Sequence, residues 1–535
     1  MAIAVMPVIF FLISLGLAFA TGTSWGTFGI LIPISVTILS GNYMMMSVCV
    51  GAILAGAVCG DHISPISDTT ILSSAGAQCR HIDHVATQMP YALTVALCAS
   101  VGYILSGITG NGYIGLAGAA ISLLSNNVIF RLRNYFEEYK KERKNDMNGF
   151  VYDIPTRIYF GQDQLCHLGD ELKKYGKKVL VAYGGGSIKK SGLYDKVMAQ
   201  ISAAGLYAAE LPGIEPNPKI DSVRRGAELC KQENIDMVLA VGGGSTIDAA
   251  KFIAAGACAD IDPWEFIKNR APIERALPVI TVLTIAATGS EMDNCGVISN
   301  PETNDKIGRG DYKLVPKASF LDPTVTYSVS AYQTACGAAD IISHICEVYF
   351  NTEKDLYMLD GFMEVLFKTV IKYAPIAIAK PDDYEARANL MWASSWAING
   401  FLDGGRTLAW SCHPMEHQLS AYYDITHGLG LAILPPRWMR HCLNDATAPR
   451  LARFARTVFS VDNALDDAEA ANAGIERLSE FLFTTLGLKS TLSAIGIDQT
   501  HFDAMAEKAC GAGGVIEGFV PLKKQDVLDI YRMSL

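Results

Sequence analysis

Four histidines and an aspartate are spaced as metal ligands would be. Asp340-Ile341-Ile342-Ser343-His344 sets a carboxylate and an imidazole four residues apart, which on a helix places both on one face. His413-Pro414-Met415-Glu416-His417 repeats that interval with two imidazoles, and His427-Gly428 follows ten positions later. Beyond Val151 the chain has seven histidines, and four of them fall in these two patches. A lone histidine on an apolar helix is usually a core residue. Several clustered around a helical aspartate suit a divalent transition metal such as Fe(II) or Zn(II).

A second chemistry is written in glycine. Val179-Leu180-Val181-Ala182-Tyr183 ends in Gly184-Gly185-Gly186-Ser187, and Met237-Val238-Leu239-Ala240-Val241 ends in Gly242-Gly243-Gly244-Ser245. A turn without side chains lets the backbone approach a diphosphate, and the N–H groups of the next helix face it. The bland reading is a tight strand-to-helix turn without a ligand. Two such turns after two clean strands favour a nucleotide site. A third strand, Pro278-Val279-Ile280-Thr281-Val282, leads into Ala287-Thr288-Gly289-Ser290-Glu291, whose hydroxyls suit phosphate oxygens or a nicotinamide. The first turn carries Ser187 and then Lys189-Lys190 rather than an acid. A neutral or basic site accommodates a 2′-phosphate, so NADP(H) is the expected cofactor. The lysines read equally well as solvated surface.

These residues need elements to hold them. Strands alternate with helices from 151 to about 327, the pattern of a parallel sheet with crossover helices. After Ser330 strand signals fade into long amphipathic helical patterns. The chain therefore predicts a Rossmann-like α/β dinucleotide-binding domain at 148–328 and an all-α metal-binding domain at 329–535.

The first 130 residues are of another kind. Half of the 535 residues are hydrophobic (50%) and only 18% are charged, below the share usual for a soluble enzyme. Residues 1–60 contain no Asp, Glu, Lys or Arg. Residues 2–20 are long and apolar enough to span a bilayer, and 44–60, 88–109 and 112–130 read as further spans. Residues 27–40 are short and follow Thr21-Gly22-Thr23-Ser24-Trp25-Gly26-Thr27, the pattern of a broken helix. A signal peptide would need a basic start, which is absent. Arg131-Leu132-Arg133 and Lys140-Lys141-Glu142-Arg143-Lys144 form a basic linker, 131–147, that predicts a cytoplasmic side after the last span. Asp61 and Asp68, in Gly60-Asp61-His62-Ile63-Ser64-Pro65-Ile66-Ser67-Asp68-Thr69-Thr70, are ion-transport candidates, because acids within a membrane segment are costly. A polar loop outside the bilayer is the alternative. The net charge of −10 argues against a nucleic-acid partner. Thirteen cysteines without a C-x-x-C pair suggest a reducing compartment.

The motifs FVYDIPTRIYFG (150–161), YGGGSIKKSGLYDKV (183–197), AVGGGSTIDAAK (240–251), ATGSEM (287–292), FLDPTVTYSVS (320–330), ACGAADIISHICE (335–347) and CHPMEHQLSAYYDITHGLGLAILPP (412–436) resemble the iron-containing (group III) alcohol dehydrogenases, in their NADPH-dependent butanol dehydrogenase branch. The resemblance covers 147–535. It implies metal ligands Asp340, His344, His413 and His427, with His417 relaying a proton. It implies cofactor contacts at Gly185, Ser187, Gly243, Gly244, Ser245, Asp248, Thr284, Thr288 and Lys306. Asp293, within SEMDN, leaves the local substrate preference open. TGTSWGT (21–27), GDHISPISDTTILSS (60–74) and HIDHVATQMPYAL (81–93) resemble the C-terminal portion of NhaC-type Na⁺/H⁺ antiporters, which implies a partial helical transporter bundle over 1–130.

The expected activity is metal-dependent interconversion of primary alcohols and aldehydes with NADP(H), carried on a multi-pass membrane segment, with a homo-oligomer formed through the dehydrogenase part. Three alternatives stay open: a NAD-dependent glycerol-dehydrogenase-like enzyme, an ion transporter fragment with a dehydrogenase-like regulatory domain, and a bare membrane anchor. Met147-Asn148-Gly149-Phe150 also resembles a natural start. Two joined reading frames, with the enzyme free in the cytoplasm, would account for the chain as well.

Overall fold

A computed structural model describes residues 3–76, 81–124, 148–351, 353 and 356–535. The chain divides into two compact units, Met1–Lys144 and Asn145–Leu535. The basic linker expected at 131–147, and the end of the span expected at 112–130, lie outside the described residues.

The first unit is helical: α1 (Met6–Thr21), α2 (Ser24–Ile38), α3 (Tyr43–Ile63), α4 (Asp68–Gly76), α5 (His81–Thr109) and α6 (Gly112–Leu124). Three of its helical stretches, Ile3–Thr21, Tyr43–Ile63 and His81–Thr109, are long and apolar enough to cross a membrane. Helix α2 is short, as the sequence expects, but continuous from its cap at Thr23, whose hydroxyl accepts from the Gly26 N–H. The chain breaks instead between α1 and α2, where Gly22 closes α1 in the left-handed region. Helices α1 and α3 meet backbone to backbone. A Cβ on Gly56 would fall on the Phe11 carbonyl and one on Gly60 on the Leu15 carbonyl, the small-residue packing that membrane helices favour. Large apolar side chains such as Leu12, Ile30, Tyr91 and Leu97 point outward.

In the second unit six parallel strands form one sheet in the order β1-β8-β5-β4-β2-β3. They are β1 (Arg157–Phe160), β2 (Lys178–Tyr183), β3 (Tyr207–Leu211), β4 (Met237–Gly242), β5 (Val279–Leu283) and β8 (Ala318–Leu321). The central strands β4 and β5 are buried along their whole length, which explains their unbroken Val/Ile/Leu character. The departure from simple alternation is an antiparallel hairpin, β6 (Cys295–Asn300) and β7 (Asp305–Gly310), which pairs Ser299 with Lys306. Turns and loops alone do not show such a hairpin in a sequence read for crossovers.

The rest is helical apart from a two-residue strand pair, Val515–Ile516 with Leu522–Lys523. Helix α7 (Ala331–Tyr349) starts where the Ser330 hydroxyl accepts from the Gln333 N–H, and it is buried on every side from Thr334 onward. A helix buried all round is the axis of its domain. Packed on it are α8 (Tyr357–Ala379) and α10 (His427–Cys442), and α9 (Cys412–Tyr423) packs on α10. The boundary expected at 328/329 falls in the connection between β8 and α7.

Candidate functional site

Asp340 and His344 share the inner face of α7, with Nε2 of His344 3.6 Å from Oδ1 of Asp340. His413 opens α9, and its ring stacks on that of His344 at 4.8 Å and 10°. His427 opens α10 and points Nε2 at the same Asp340 oxygen, 3.7 Å away. One helix, and two more joined to each other far along the chain from it, therefore bring one carboxylate and three imidazoles together.

Donor atoms of Asp340, His344 and His413 lie within 4.8 Å of one another, and those of Glu416, His417 and His427 do likewise. His427, a member of the second group, links it to the first: Nδ1 bonds the Glu416 carboxylate, and Nε2 faces Asp340. Asp340 Oδ1 and His413 Nε2 are buried without a hydrogen-bond partner. Buried polar atoms ordinarily have partners. Lone pairs that converge with no donor between them fit a cation, and the oxygen-plus-imidazole set suits a first-row divalent metal. Burial raises the Asp340 carboxyl above its ordinary range. Burial, reinforced by His413 and His427, drives the His344 imidazole well below its own.

Two glutamates absent from the sequence expectations hold these rings. Glu347, two turns along α7 from Asp340, is buried. Its carboxylate accepts the backbone N–H groups of Ser411 (2.6 Å), Cys412 (2.7 Å) and His413 (3.2 Å). It also bonds Nδ1 of His413 at 2.5 Å. One side chain thus satisfies the open N–H groups at the start of α9 and fixes the His413 tautomer. Glu416 is fully buried and is bonded by Ser420, His427 and Lys306. Burial alone would raise its carboxyl, but His427 and Lys306 hold it far below the carboxylate range. The spacing of Glu347 three residues after His344, and of Glu416 three after His413, is the signal that could have found them.

His417 lies one turn from His413, with ring centroids 6.0 Å apart, and 5.8 Å from His427. Burial, together with the nearby Lys306 ammonium, holds its imidazole well below the ordinary value.

A cavity of about 540 Å³ is lined by Ser245, Thr288, Lys306, His344, His413 and His417. Ser245 brings the end of the second glycine turn to this cavity. A Cβ on Gly244 would strike Thr288, and one on Gly243 would strike Ile285, so bare backbone is a requirement of this turn. Gly185 and Ser187, at the first turn, are exposed, and Gly186 takes φ +108°. Thr284 is half-buried at the end of β5. Asp248 lines the cavity, but its carboxylate accepts from Ser290 (2.5 Å) and the Val297 N–H (2.9 Å). Burial raises its pKa to about 6. Lys306 is turned toward Asn217, Glu416 and His427.

In the first unit Asp61 is buried in the last turn of α3 and accepts from Ser67 at 2.7 Å. Asp68 begins α4 and is exposed. The two ion-transport candidates are thus in different settings, and Asp61 lies in a helix rather than in a polar loop.

Residues 155–323 match the family model of iron-containing alcohol dehydrogenases, and 334–535 match the C-terminal model of the Fe-containing alcohol dehydrogenase family. Residues 2–108 match the Na⁺/H⁺ antiporter family model. The chain is 49% identical over 389 residues to NADH-dependent butanol dehydrogenase A of Clostridium acetobutylicum, covering 72% of this chain and 100% of that one. It is 36% identical over 366 residues to the NADPH-dependent aldehyde reductase YqhD of Escherichia coli, covering 68% of this chain and 93% of the other. The crystal structure of NADH-dependent butanol dehydrogenase A from Thermotoga maritima superposes with a TM-score of 0.69 at 38% identity, over 73% of this chain and 99% of that one.

Proposed function

The chain belongs to the iron-containing alcohol dehydrogenase family, and on that footing we propose that it interconverts primary alcohols and aldehydes with NADP(H) and a divalent metal. The observation that carries this reading is the gathering of His344, His413 and His427 around Asp340, the three imidazoles lining a cavity that Ser245 and Thr288 also line.

Asp340, His344, His413 and His427 would hold the metal, Fe(II) by preference, with Zn(II) accepted by the same donors. A bound metal would supply Lewis acidity at the substrate oxygen, and the nicotinamide the hydride. The chain's own residues do the rest. Ser245 and Thr288 face the cofactor side of the cleft. Trp410, edge-on to His413 at 5.0 Å, walls the other side and helps exclude water. His417, which lines the cavity with Nε2 buried and unpartnered, would pass a proton to or from the substrate oxygen.

Preference for the 2′-phosphorylated cofactor is supported by the first turn, where Ser187, Lys189 and Lys190 are exposed and no acid stands between Gly184 and Ser191. Lys189 is held over the rings of Tyr183 and Tyr194, at 5.2 and 4.6 Å. A second reading, NADH, is favoured by the names of the butanol dehydrogenase relatives. Comparing kcat/KM for the two cofactors with butyraldehyde decides between them, and a strong NADH preference overturns the first.

For the first unit the reading is a bilayer-embedded segment with the enzyme on the cytoplasmic side, supported by three apolar helices of spanning length and the antiporter-model match. Exposed Met358 and Val365 on α8 support self-association of the dehydrogenase part. The test of the whole reading is His413→Ala. It should abolish metal binding and aldehyde reduction while the fold is retained, and full activity would overturn the ligand set.

A further inference from the structure

His427 is the one expected metal ligand whose ring is held by groups from both halves of the second unit. Its Nδ1 bonds Glu416 of α9. Glu416 in turn takes a bond from Lys306 Nζ at 3.2 Å, and that lysine stands on β7 of the hairpin in the α/β part. Both side chains are almost wholly buried, with 4% of Lys306 and none of Glu416 exposed. Lys306 Nζ also donates to Asn217 Oδ1 at 3.0 Å.

Asn217 makes the second grip. It lies in the α/β part, and its Nδ2 donates to Asp424 Oδ1 (3.0 Å) and to the Ile425 carbonyl (3.1 Å). Neighbouring Lys219 reaches Asp424 as well, at 2.8 Å. Residues 424–426 are the whole connection between α9 and α10, and His427 is the next residue. Two holds from the α/β part, joined by the Lys306–Asn217 bond, therefore act on His427, one on its ring through Glu416 and one on its backbone through the connection.

We infer that Lys306 and Asn217 are positioning residues that set His427 from across the domain boundary, through Glu416 and through the 424–426 connection, so that metal retention depends on the cofactor-side domain. This rests on the metal-centre reading above, and it gives Lys306 a task other than touching the cofactor. The physical reason is rotational. Imidazole ligands are aimed by the partner on their other nitrogen, and loss of such a partner ordinarily weakens a metal about 10–100-fold. Glu416 can aim His427 only while its own charge is matched, because a buried carboxylate without its cation is costly and the surroundings rearrange.

The test is retention of Zn(II) by the full chain in detergent, without nicotinamide, during dialysis against a chelator. Lys306→Met, Glu416→Gln and Asn217→Ala should each speed metal loss by roughly 10–100-fold. Lys306→Arg should restore part of it. Lys306→Met combined with Glu416→Gln should be no worse than the poorer single variant, because the two act on one ring. For Asn217→Ala, with metal in excess, kcat should recover while the metal concentration for half-activity stays raised, which a general loss of folding would not produce. Asn217→Ala leaves the buried ion pair in place, so it reports even where Lys306→Met does not fold. Normal Zn(II) retention in both Lys306→Met and Asn217→Ala, with only the nicotinamide KM raised in the former, overturns the inference. Normal retention in His413→Ala as well would overturn the metal-centre reading instead.

Discussion

The carboxylate of Glu347 bonds the ring of His413 at 2.5 Å and the backbone N–H of the same residue at 3.2 Å. Side chain and main chain of one expected ligand are thereby fixed by a single group. Glu347→Gln should keep part of the N–H acceptance but loosen the ring, and Glu347→Ala should lose both. The expected result for Glu347→Ala is a ~10–100-fold loss in metal affinity. The metal-free protein should also be less stable by about 1–3 kcal/mol, from buried N–H groups left without an acceptor. Isothermal titration with Zn(II) and thermal unfolding of the metal-free protein check the two effects separately.

His417 should behave differently from the four ligands. His417→Phe should retain metal and cofactor affinity while kcat falls by ~10²–10⁴, the usual worth of a positioned proton donor or acceptor. Metal content measured beside steady-state kinetics distinguishes the cases. Metal loss in this variant would make His417 a ligand.

Cofactor choice can be tested at the first turn. Ser187→Asp places a carboxylate where the 2′-phosphate is expected, and like charges at close range cost on the order of 1–4 kcal/mol. kcat/KM for NADPH should fall at least about tenfold, while that for NADH should hold or rise. Equal changes for both cofactors would show that Ser187 does not face the ribose.

Acid stability should depend on Glu171, which is buried beside the sheet. Burial alone would raise its pKa, but bonds from Lys174, Tyr159, Tyr175 and Arg157 hold it near 2, against an ordinary 4.5. A carboxylate lowered on folding contributes stability above its unfolded pKa, and that contribution is lost as pH falls toward the folded value. The melting temperature should therefore drop between about pH 4.5 and 2 and drop less steeply in Glu171→Gln. Identical slopes would count against this assignment.

The full chain, tagged at its C-terminus, should sediment with membranes, resist high salt and come off in detergent. A version beginning at Met147 should be soluble and equally active. A tagged product found only in the soluble fraction, at the size of the shorter version, would show two separate products.

Much of this was legible in one dimension because the signals are local. Apolar runs mark α1, α3 and α5, glycine turns follow clean strands, and Asp340 with His344 share a helix face by spacing alone. The strand order and the hairpin that carries Lys306 are set by contacts between segments far apart in sequence, and spacing does not report them. Glu347 and Glu416 were missed for a related reason. A glutamate on a helix reads as solvated surface until the fold buries it against backbone N–H groups from another segment. For Asp61 the sequence leaves open a membrane segment or a polar loop, and only the fold decides, with α3 running through it to Ile63 and Ser67 bonding its carboxylate.

Gly428, immediately after His427, has no room for a side chain: a Cβ there would fall on the carbonyl of Cys336 in α7. The helix bearing Asp340 and the helix headed by His427 are therefore stacked main chain on main chain. No rotamer lies between them to yield, so the gap across which the carboxylate and the imidazole face each other is a gauge cut into the backbone. An alanine at 428 would widen it from within, altering the reach of both donors without touching either one.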